Sequence, residues 1–276
     1  MRQDDPNTQK LVDYYRNFNE RERLSSRWGQ LEFVRTTDIL RRYLPKPPAV
    51  ILDIGGASGR YACWLARHGY DVSIIDPVPL HIQQAKEASA KQPEHPITRC
   101  VVGDARQLDD QDATADAILL MGPLYHLVDA EDRRKACRES YRVLKSNGHL
   151  FAVGISRFSS MLEGFSSDYI HDPELKRIME QDLHDGHHRN PTRHPLYFTD
   201  TFFHHPEELQ REVEDAGFGH QATLAIEGIS YVMKDFDTNW EDEATREFLL
   251  KILRTIEKEP SLLGASPHMM CVAVKR

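Results

Sequence analysis

The 276-residue sequence contains few cysteines, and they are not paired. Its four cysteines, Cys63, Cys100, Cys137 and Cys271, lack the close spacing of a redox or metal motif. Three of them fall in apolar or helical segments, where a thiol packs as a small hydrophobic group. We therefore expect free thiols and no disulfide framework.

Basic charge and long apolar runs are also scarce. The formal net charge is -8 and the isoelectric point is near 6.0, whereas nucleic-acid binding needs a basic surface. There is no run of about 18 apolar residues that could cross a bilayer, and the polar start at residues 1–5 is not typical of a signal peptide. The sequence predicts a cytoplasmic protein that acts on a small molecule, without a nucleic-acid or membrane partner.

The most informative segment is residues 50–60, where an apolar run leads straight into a glycine-rich turn. Residues 61–69 then show helical apolar spacing, and residues 71–75 form a second apolar run that ends in Asp76. This order predicts a βαβ unit. A carboxylate about 20 residues beyond the first turn lies where a nucleotide ribose would be bound. We therefore expect a nucleoside site with Asp76 as the ribose ligand.

The turn itself differs from a dinucleotide-binding turn, because it lacks the G-x-G-x-x-G spacing and contains an acidic residue, Asp53. A carboxylate there would repel a pyrophosphate but would help to position a cationic ligand. The segment resembles motif I of the class I S-adenosylmethionine-dependent methyltransferases, D/E-x-G-x-G-x-G, with Gly55, Gly56 and Gly59 among its glycines. Ala57 replaces the middle glycine, and we expect its backbone to keep an ordinary negative φ.

The resemblance continues in order along the chain. Residues 101–106 look like the next strand, with Asp104 and Ala105 where the family binds adenine. Residues 116–127 resemble motif IV, with Met121 and Gly122 beside the cofactor and a GPLYHL sequence similar to that of some small-molecule methyltransferases. Residues 139–153 resemble the family's helix, a turn at 147–148 and the fifth strand, and residues 269–275 its last, antiparallel strand.

The resemblance implies an α/β fold with a Rossmann-like, seven-stranded, mostly parallel sheet and helices on both faces. It implies S-adenosyl-L-methionine as the cofactor and methyl transfer to oxygen, nitrogen or carbon of a small molecule. We expect an N-terminal helical lid at residues 1–48, the cofactor-binding core at 49–156, an inserted substrate cap at 157–205, and the rest of the core sheet at 206–276. The oligomeric state stays open.

The N-terminal segment contains paired tyrosines, and comparable segments in related methyltransferases fold over the cofactor. Tyr14, Tyr15, Glu20 and Arg23 are therefore candidates, with Tyr14 assigned to the cofactor and Tyr15 to the substrate. The alternative is an amphipathic helix whose tyrosines cap the core and whose charges face water.

Tyr125 and His126 follow the turn at 122–123 and are the candidate catalytic residues. His126 would take a proton from the acceptor, or both side chains would only shape the pocket. Arg157 would bind a substrate carboxylate through its guanidinium, or it is a solvated loop arginine. Tyr169 and Tyr197 would contact a partly apolar substrate, or they belong to the cap's own core.

Seven histidines between residues 157 and 205 suggest a metal site. However, His184, His187 and His188 lie in a segment rich in turn formers, no cysteine is near, and nothing fixes a coordination geometry. We favour a polar cap around the substrate pocket and expect no metal. Two other uses of the fold stay open. One is an intramolecular displacement on S-adenosylmethionine that releases methylthioadenosine and a small cyclic amino acid, and the other is a non-catalytic cofactor-binding module.

Overall fold

The computed structural model describes residues 6–18, 20–192, 194 and 197–276, without the side chains of residues 6, 17, 168 and 169. Within this part the α-helices are α1 Pro6–Asn17, α2 Glu20–Arg23, α3 Arg27–Tyr43, α4 Arg60–Arg67, α5 Pro79–Ala90, α6 Pro123–His126, α7 Ala130–Val143, α8 Ser159–Ser166, α9 Pro173–Asp185, α10 Pro206–Asp215, α11 Phe236–Glu241, α12 Glu243–Ile256 and α13 Pro260–Leu263. Short 3-10 helices span Asp168–His171 and Ser230–Val232. The strands are β1 Val50–Ile54, β2 Asp71–Asp76, β3 Arg99–Val102, β4 Ala115–Leu120, β5 Leu144–Ser156, β6 His187–His188, β7 Thr201–His204, β8 Phe218–Ala225 and β9 His268–Lys275.

The central sheet has the order β3-β2-β1-β4-β5-β9-β8. Strands β1 to β5 are parallel, while β9 lies antiparallel between β5 and β8. The prediction of a mostly parallel, Rossmann-like sheet is therefore confirmed, including the antiparallel last strand. Because the carboxyl ends of parallel strands share one edge, the loops after β1, β2 and β4 meet there.

The strand count is nine in the described residues, whereas seven were predicted. The additional β7 pairs in parallel with the end of β5, through Ile155 and Phe203, and β6 pairs antiparallel with β7. These two strands have only four and two residues, too few to show an alternating pattern.

The sheet is buried on both faces, and neighbouring residues of one strand point to opposite layers. Ile51 packs in the layer that holds α3, α4 and α5, with Ile39, Leu65 and Ile82. Leu52 packs in the other layer, which holds α7, α10 and α13. This two-sided burial explains why the strands read as continuous apolar runs.

The turn predicted at 147–148 lies within β5, which begins earlier, at Leu144. Asn147 has a φ of 64°, and the pairing with β4 shifts register between Ala115, opposite Leu144, and Ala117, opposite His149. The chain thus makes its turn as an irregularity in the strand. Asparagine tolerates this left-handed conformation better than most residues.

Helix α3 is tied to the C-terminal part of the chain by a buried ion-pair network. Arg35 donates to the carbonyl of Ile226 at 3.1 Å and to Glu257 at 2.6 Å, and Arg42 binds the same carboxylate. The four cysteines are free thiols. Among the described residues, no helix has both the length and the apolar character needed to cross a membrane.

Candidate active site

A cavity of about 1410 Å³, counted with its open mouth, lies at the carboxyl ends of β1, β2 and β4. Its floor is formed by the loops after these strands, and residues of α1, α2 and α3 line its other side. Ile226, after β8, and His268, at the start of β9, line it as well. The cavity thus joins the loops at the strand ends to the N-terminal helices and to the β8–β9 edge of the sheet.

The glycine-rich turn approaches its neighbours so closely that side chains are excluded. A Cβ on Gly55, whose φ is 73°, would lie 2.6 Å from the Pro123 ring, and a Cβ on Gly56 would lie 2.6 Å from a carboxylate oxygen of Asp53. Gly59 does not line the cavity; it has a φ of 81° and precedes α4. The turn therefore presents backbone to the cavity.

Ala57 differs from the expectation for its backbone. Its φ is +48°, in the left-handed region, whereas an ordinary negative φ was predicted. This conformation costs an alanine about 1–2 kcal/mol. The Ala57 N–H donates to Asp76 Oδ2 at 3.0 Å, and this hydrogen bond offsets part of the strain.

Asp53 is buried beneath this turn, with 1% of its surface exposed. Burial, and then the nearby Asp76 carboxylate, raises its pKa to about 7. Its Oδ2 is buried and has no hydrogen-bond partner among the described residues. A cationic ligand in the cavity would favour the ionised form of this carboxylate.

Asp76 ends β2 and is held by three donors. Its Oδ2 accepts from the Ala57 N–H, while its Oδ1 lies 2.9 Å from the Val78 nitrogen and 3.0 Å from His81 Nδ1. The side chain is buried and lines the cavity. A rigid carboxylate is thereby placed at the ribose position predicted from the βαβ unit.

Asp104 and Ala105 also line the cavity, after β3. Asp104 accepts from the Arg106 backbone N–H at 2.9 Å and from its guanidinium at 2.6 Å. Arg106 in turn binds Asp132 at 2.6 Å. The Asp104 carboxylate is therefore fixed by an internal cation, and an adenine amine would have to share it.

The motif IV loop brings Met121, Gly122, Tyr125 and His126 to the cavity. A Cβ on Gly122 would lie 3.0 Å from the carbonyl oxygen of Gly55, so this loop and the glycine-rich turn lie against each other. The four residues thus stand directly beside the motif I backbone.

His126 Nε2 lies 2.9 Å from the hydroxyl of Tyr15, which α1 contributes to the lining. Burial, and then His81 and Arg23, lowers the pKa of His126 to about 3. Burial raises the pKa of Tyr15 well above its ordinary value, so the hydroxyl keeps its proton and donates to a neutral imidazole. His126 is consequently a weak base in this arrangement.

The end of the cavity away from Asp76 and Asp104 is formed by groups that are distant in sequence. Arg23 donates to Glu20 at 2.8 Å and to both carboxylate oxygens of Glu32, in one case at 3.0 Å. Nearby, His268 Nδ1 lies 2.7 Å from Glu227 Oε1. We call these five residues the charged cluster.

Part of the charged cluster has the composition of a metal site, since ligand atoms of Glu32, Glu227 and His268 lie within 4.8 Å of one another. Each of the two carboxylates, however, already has a partner inside the protein, Arg23 for Glu32 and His268 for Glu227. Burial opposes ionisation of Glu32, but Arg23 and then His268 outweigh it and lower its pKa. We therefore describe the cluster as two internal ion pairs and do not assign a metal to it.

Glu32, Glu227 and His268 were not among the residues singled out in the sequence. A usable signal exists for two of them, because Glu227 follows the end of β8 and His268 begins β9. The two strands are antiparallel neighbours, so these positions lie at the same edge of the sheet as the glycine-rich turn. No comparable local signal marks Glu32 within α3.

Three of the predicted contact residues lie away from the cavity lining. The Arg157 side chain is buried, and its guanidinium donates to the carbonyl of Phe203 at 2.9 Å and to Glu208 at 2.7 Å. Tyr197 donates to Asp172, which raises its pKa to about 12. The ring of Tyr14 packs on Tyr15. These placements correct the cavity positions expected for Arg157, Tyr197 and Tyr14, and the Tyr169 side chain lies outside what the structure describes.

His187, His188 and His204 of the predicted cap have structural partners. His188 Nδ1 lies 2.8 Å from Asp182, and His204 Nε2 lies 3.2 Å from Glu212. His187 packs edge-on against the Phe202 ring. In the part of the chain that can be described, no group with metal-ligand geometry includes a cap histidine.

A family model described as a methyltransferase domain matches residues 52–152. The ubiquinone/menaquinone biosynthesis C-methyltransferase UbiE of Zymomonas mobilis is 26% identical over 159 residues, which are 56% of this chain and 63% of that protein. The ubiquinone biosynthesis O-methyltransferase of Methylocella silvestris is 33% identical over 118 residues, 42% of this chain and 44% of that protein. The chain thus spans less than two thirds of the length of either relative.

A solved structure of geranyl diphosphate C-methyltransferase from Streptomyces coelicolor A3(2), in complex with Mg²⁺, geranyl diphosphate and S-adenosyl-L-homocysteine, has the same fold. The TM-score is 0.63 at 11% sequence identity, and the match covers 99% of both chains. Residues 52–152 thus match a methyltransferase domain, and the chain has the fold of a solved S-adenosylmethionine-dependent methyltransferase.

Proposed function

We propose that this protein transfers the methyl group of S-adenosylmethionine to a small molecule bound in the same cavity. One observation carries the proposal. The backbone-lined turn at Gly55 and Gly56 and the carboxylates of Asp76 and Asp104 border one cavity, together with four members of the charged cluster: Glu20, Arg23, Glu32 and His268. A site for a nucleoside and a site for a second molecule therefore adjoin.

The donor set fits the cofactor in charge and shape. Asp76 would accept hydrogen bonds from the ribose hydroxyls, and Asp104 with Ala105 would border the adenine. The exposed backbone of Gly55 and Gly56 would lie against the methionine portion, with Asp53 beneath it as a carboxylate facing a cation. When bound, S-adenosylmethionine supplies a methyl group on a positively charged sulfur, and its transfer removes that charge.

The protein's main contribution to such a reaction is positioning. Holding an acceptor atom about 3 Å from the methyl carbon replaces a chance encounter by an oriented one. Tyr15, Tyr125 and His126 would form the wall beside the acceptor, and the helices α1 to α3 would limit the access of water. The charged cluster would supply the polar contacts that select the acceptor.

The names of the two curated relatives differ in the atom that is methylated, carbon in one and oxygen in the other. The family model matches residues 52–152, which include Gly55, Gly56, Asp76 and Asp104. The acceptor of this chain would therefore be determined by residues outside 52–152, including Arg23, Glu32, Glu227 and His268.

The proposal is tested by the nucleoside product. Purified protein is incubated with S-adenosylmethionine and a protein-free extract of small metabolites, and the nucleosides are identified by mass spectrometry. S-adenosylhomocysteine that forms only when both protein and extract are present is the expected result. Methylthioadenosine formed from the cofactor alone would instead indicate an intramolecular displacement, and binding without any product would indicate a non-catalytic module.

A further inference from the structure

The charged cluster contains a carboxylate–imidazole pair at the wall of the cavity. His268 Nδ1 lies 2.7 Å from Glu227 Oε1, and the His268 backbone N–H donates to Oε2 of the same carboxylate at 3.1 Å. The side chain of Glu227 is only 5% exposed, whereas that of His268 is 21% exposed and lines the cavity. The carboxylate is thus behind the imidazole, and the imidazole stands between it and the cavity.

Glu227 is itself held in place. The hydroxyl of Ser266 lies 3.1 Å from Glu227 Oε2, and its oxygen accepts the Glu227 backbone N–H at 3.1 Å. These contacts fix the carboxylate on Nδ1 of His268. The remaining ring nitrogen, Nε2, is therefore the one available to a molecule in the cavity.

Resting on the proposed methyl transfer, we propose that His268 is the catalytic base that takes the proton of the acceptor, and that Glu227 is its positioning residue. A carboxylate on one ring nitrogen holds the imidazole in a single tautomer and stabilises the imidazolium that forms when the other nitrogen takes a proton. Glu227 and His268 have this arrangement. The inference also defines the acceptor: its nucleophilic atom carries a proton, as in a hydroxyl, an amine with N–H or an acidic carbon.

In the step, the acceptor forms a bond to the methyl carbon while the carbon–sulfur bond breaks and leaves its electron pair on sulfur. The acceptor's proton moves to His268 Nε2. The imidazolium then lies between Glu227 and Glu32 and later releases the proton to water through the mouth of the cavity. No oxidant, reductant or metal is required for the atoms and charges to balance.

Two further histidines line the cavity, His81 and His126, and both are less suited to this step. His81 Nδ1 lies 3.0 Å from Asp76, the carboxylate proposed to bind the ribose. Nε2 of His126 is already hydrogen-bonded to Tyr15, and the pKa of His126 is lowered to about 3. Proton transfer is most efficient when the pKa of the base is near the working pH. Burial opposes the charged form of His268, but Glu227 and then Glu32 outweigh it and raise its pKa above the ordinary 6.5. His126 instead holds Tyr15 against the wall.

The groups that face His268 set the expected pH dependence. They are Glu227 after β8, Glu32 on α3, Arg23 on α2, which lowers the His268 pKa slightly, and the Tyr125 ring on α6, whose centroid is 6.4 Å from that of His268. His268 must lose its proton before it can accept one. The rate at limiting acceptor concentration should therefore rise with pH through the pKa of His268.

The experiment compares His268→Gln and Glu227→Gln with the wild type, using S-adenosylhomocysteine release in the presence of the metabolite extract. We expect His268→Gln to lower the rate by about 10²- to 10⁴-fold. Glu227→Gln should lower it less and move the midpoint of the pH–rate profile down by about 1 pH unit or more, because the imidazole loses its anionic partner. Both variants should bind S-adenosylmethionine in calorimetry, which shows that they are folded.

Asp182→Asn is the matched control, because Asp182 and His188 form a similar buried pair away from the cavity. It should lower the melting temperature without moving the pH–rate midpoint. A readout without turnover is the titration of the histidine ring signals by NMR in the complex with S-adenosylhomocysteine. There the His268 signal should titrate above pH 6.5 in the wild type and lower in Glu227→Gln.

Failure of the inference is distinguishable from failure of the proposed function. An active wild type with an equally active, cofactor-binding His268→Gln variant overturns the role of His268 alone. Loss of activity on chelation with EDTA, restored by Zn²⁺ or Mg²⁺, would also overturn it, because the cluster would then be a metal site. A wild type that binds S-adenosylmethionine but forms no S-adenosylhomocysteine overturns the proposed function, and the inference with it.

Discussion

The two ends of the cavity are built in different ways. The end with Asp53, Asp76 and Asp104 comes from loops that follow successive strands, so its residues appear in order within a short stretch of sequence. The opposite end, the charged cluster, joins two N-terminal helices to the segments beside β8 and β9. The first is a local property of the βαβ units, while the second exists only once the whole chain has folded.

We relate this difference to two proposed tasks, binding of the cofactor and binding of the acceptor. The contiguous end presents backbone and single carboxylates, which suit a ligand that is the same throughout a family. The charged cluster pairs groups from distant segments, so a change in any of them would alter the proposed acceptor site without altering the sheet. Substitutions at one end should therefore leave the other end unchanged.

The largest effect on the cofactor end is expected from Asp76→Ala. Two charge-assisted hydrogen bonds to the ribose would be lost, at about 1.5–3 kcal/mol each, so the affinity for S-adenosylmethionine should fall by roughly 100-fold or more. Calorimetry measures this directly. Asp71→Ala is the control, because Asp71 begins the same strand and is exposed; unchanged affinity in Asp76→Ala would show that this end does not bind the ribose.

Glu32→Gln should lower turnover but not cofactor affinity, in contrast to Asp76→Ala. It removes the negative charge that Arg23 binds and that faces His268, so turnover should fall by about 10-fold or more, since hydrogen bonds between charged groups are the strong ones. The dissociation constant of S-adenosylmethionine should stay within about threefold, in keeping with independent ends. A parallel loss of cofactor affinity would mean that the two ends are one coupled site.

The pKa of Asp53, raised to about 7, predicts a pH-dependent cofactor affinity. The ionised carboxylate attracts a cationic ligand and the protonated one does not, so affinity should increase as the pH rises through 7. Between pH 6 and 7.5 the gain should be at most about tenfold. Asp53→Asn should abolish this dependence; the same pH profile in that variant would assign it to another group.

Ala57→Gly should have the smallest effect. Glycine adopts the positive φ of this turn without strain, but it also gains freedom in the unfolded chain, so the free energy of unfolding should rise by at most about 1 kcal/mol. Urea denaturation measures the change. Cofactor affinity should not change, and a clear loss of stability would contradict the strained conformation of Ala57.

The contiguous end of the cavity could be predicted from the sequence, whereas the charged cluster could not. The glycine-rich turn, Asp76 and the antiparallel last strand are marked by local patterns of apolar residues and turn formers, and the structure has them where they were expected. The conformation of Ala57 was predicted wrongly. Its N–H donates to Asp76 at the end of β2, and the local sequence does not record this contact between the turn and another strand. The short strands β6 and β7 show no periodicity of their own.

The charged cluster could not be predicted for a physical reason. An ion pair between Arg23 and Glu32, or between Glu227 and His268, depends on how the helices and the sheet edge pack together, and no spacing in the sequence records that packing. Arg157 shows that a correctly predicted position does not ensure the predicted contact. It follows β5 at the expected edge of the sheet, but its guanidinium is bound by Phe203 and Glu208 in the neighbouring segment.

The most direct test of the account is a calorimetric titration of the purified protein with S-adenosylmethionine, followed by identification of the nucleoside formed after addition of the metabolite extract. The account predicts saturable binding at one site per chain and formation of S-adenosylhomocysteine. Absence of binding would contradict the assignment of the cavity as a cofactor site, on which the proposed methyl transfer and the role of His268 both depend.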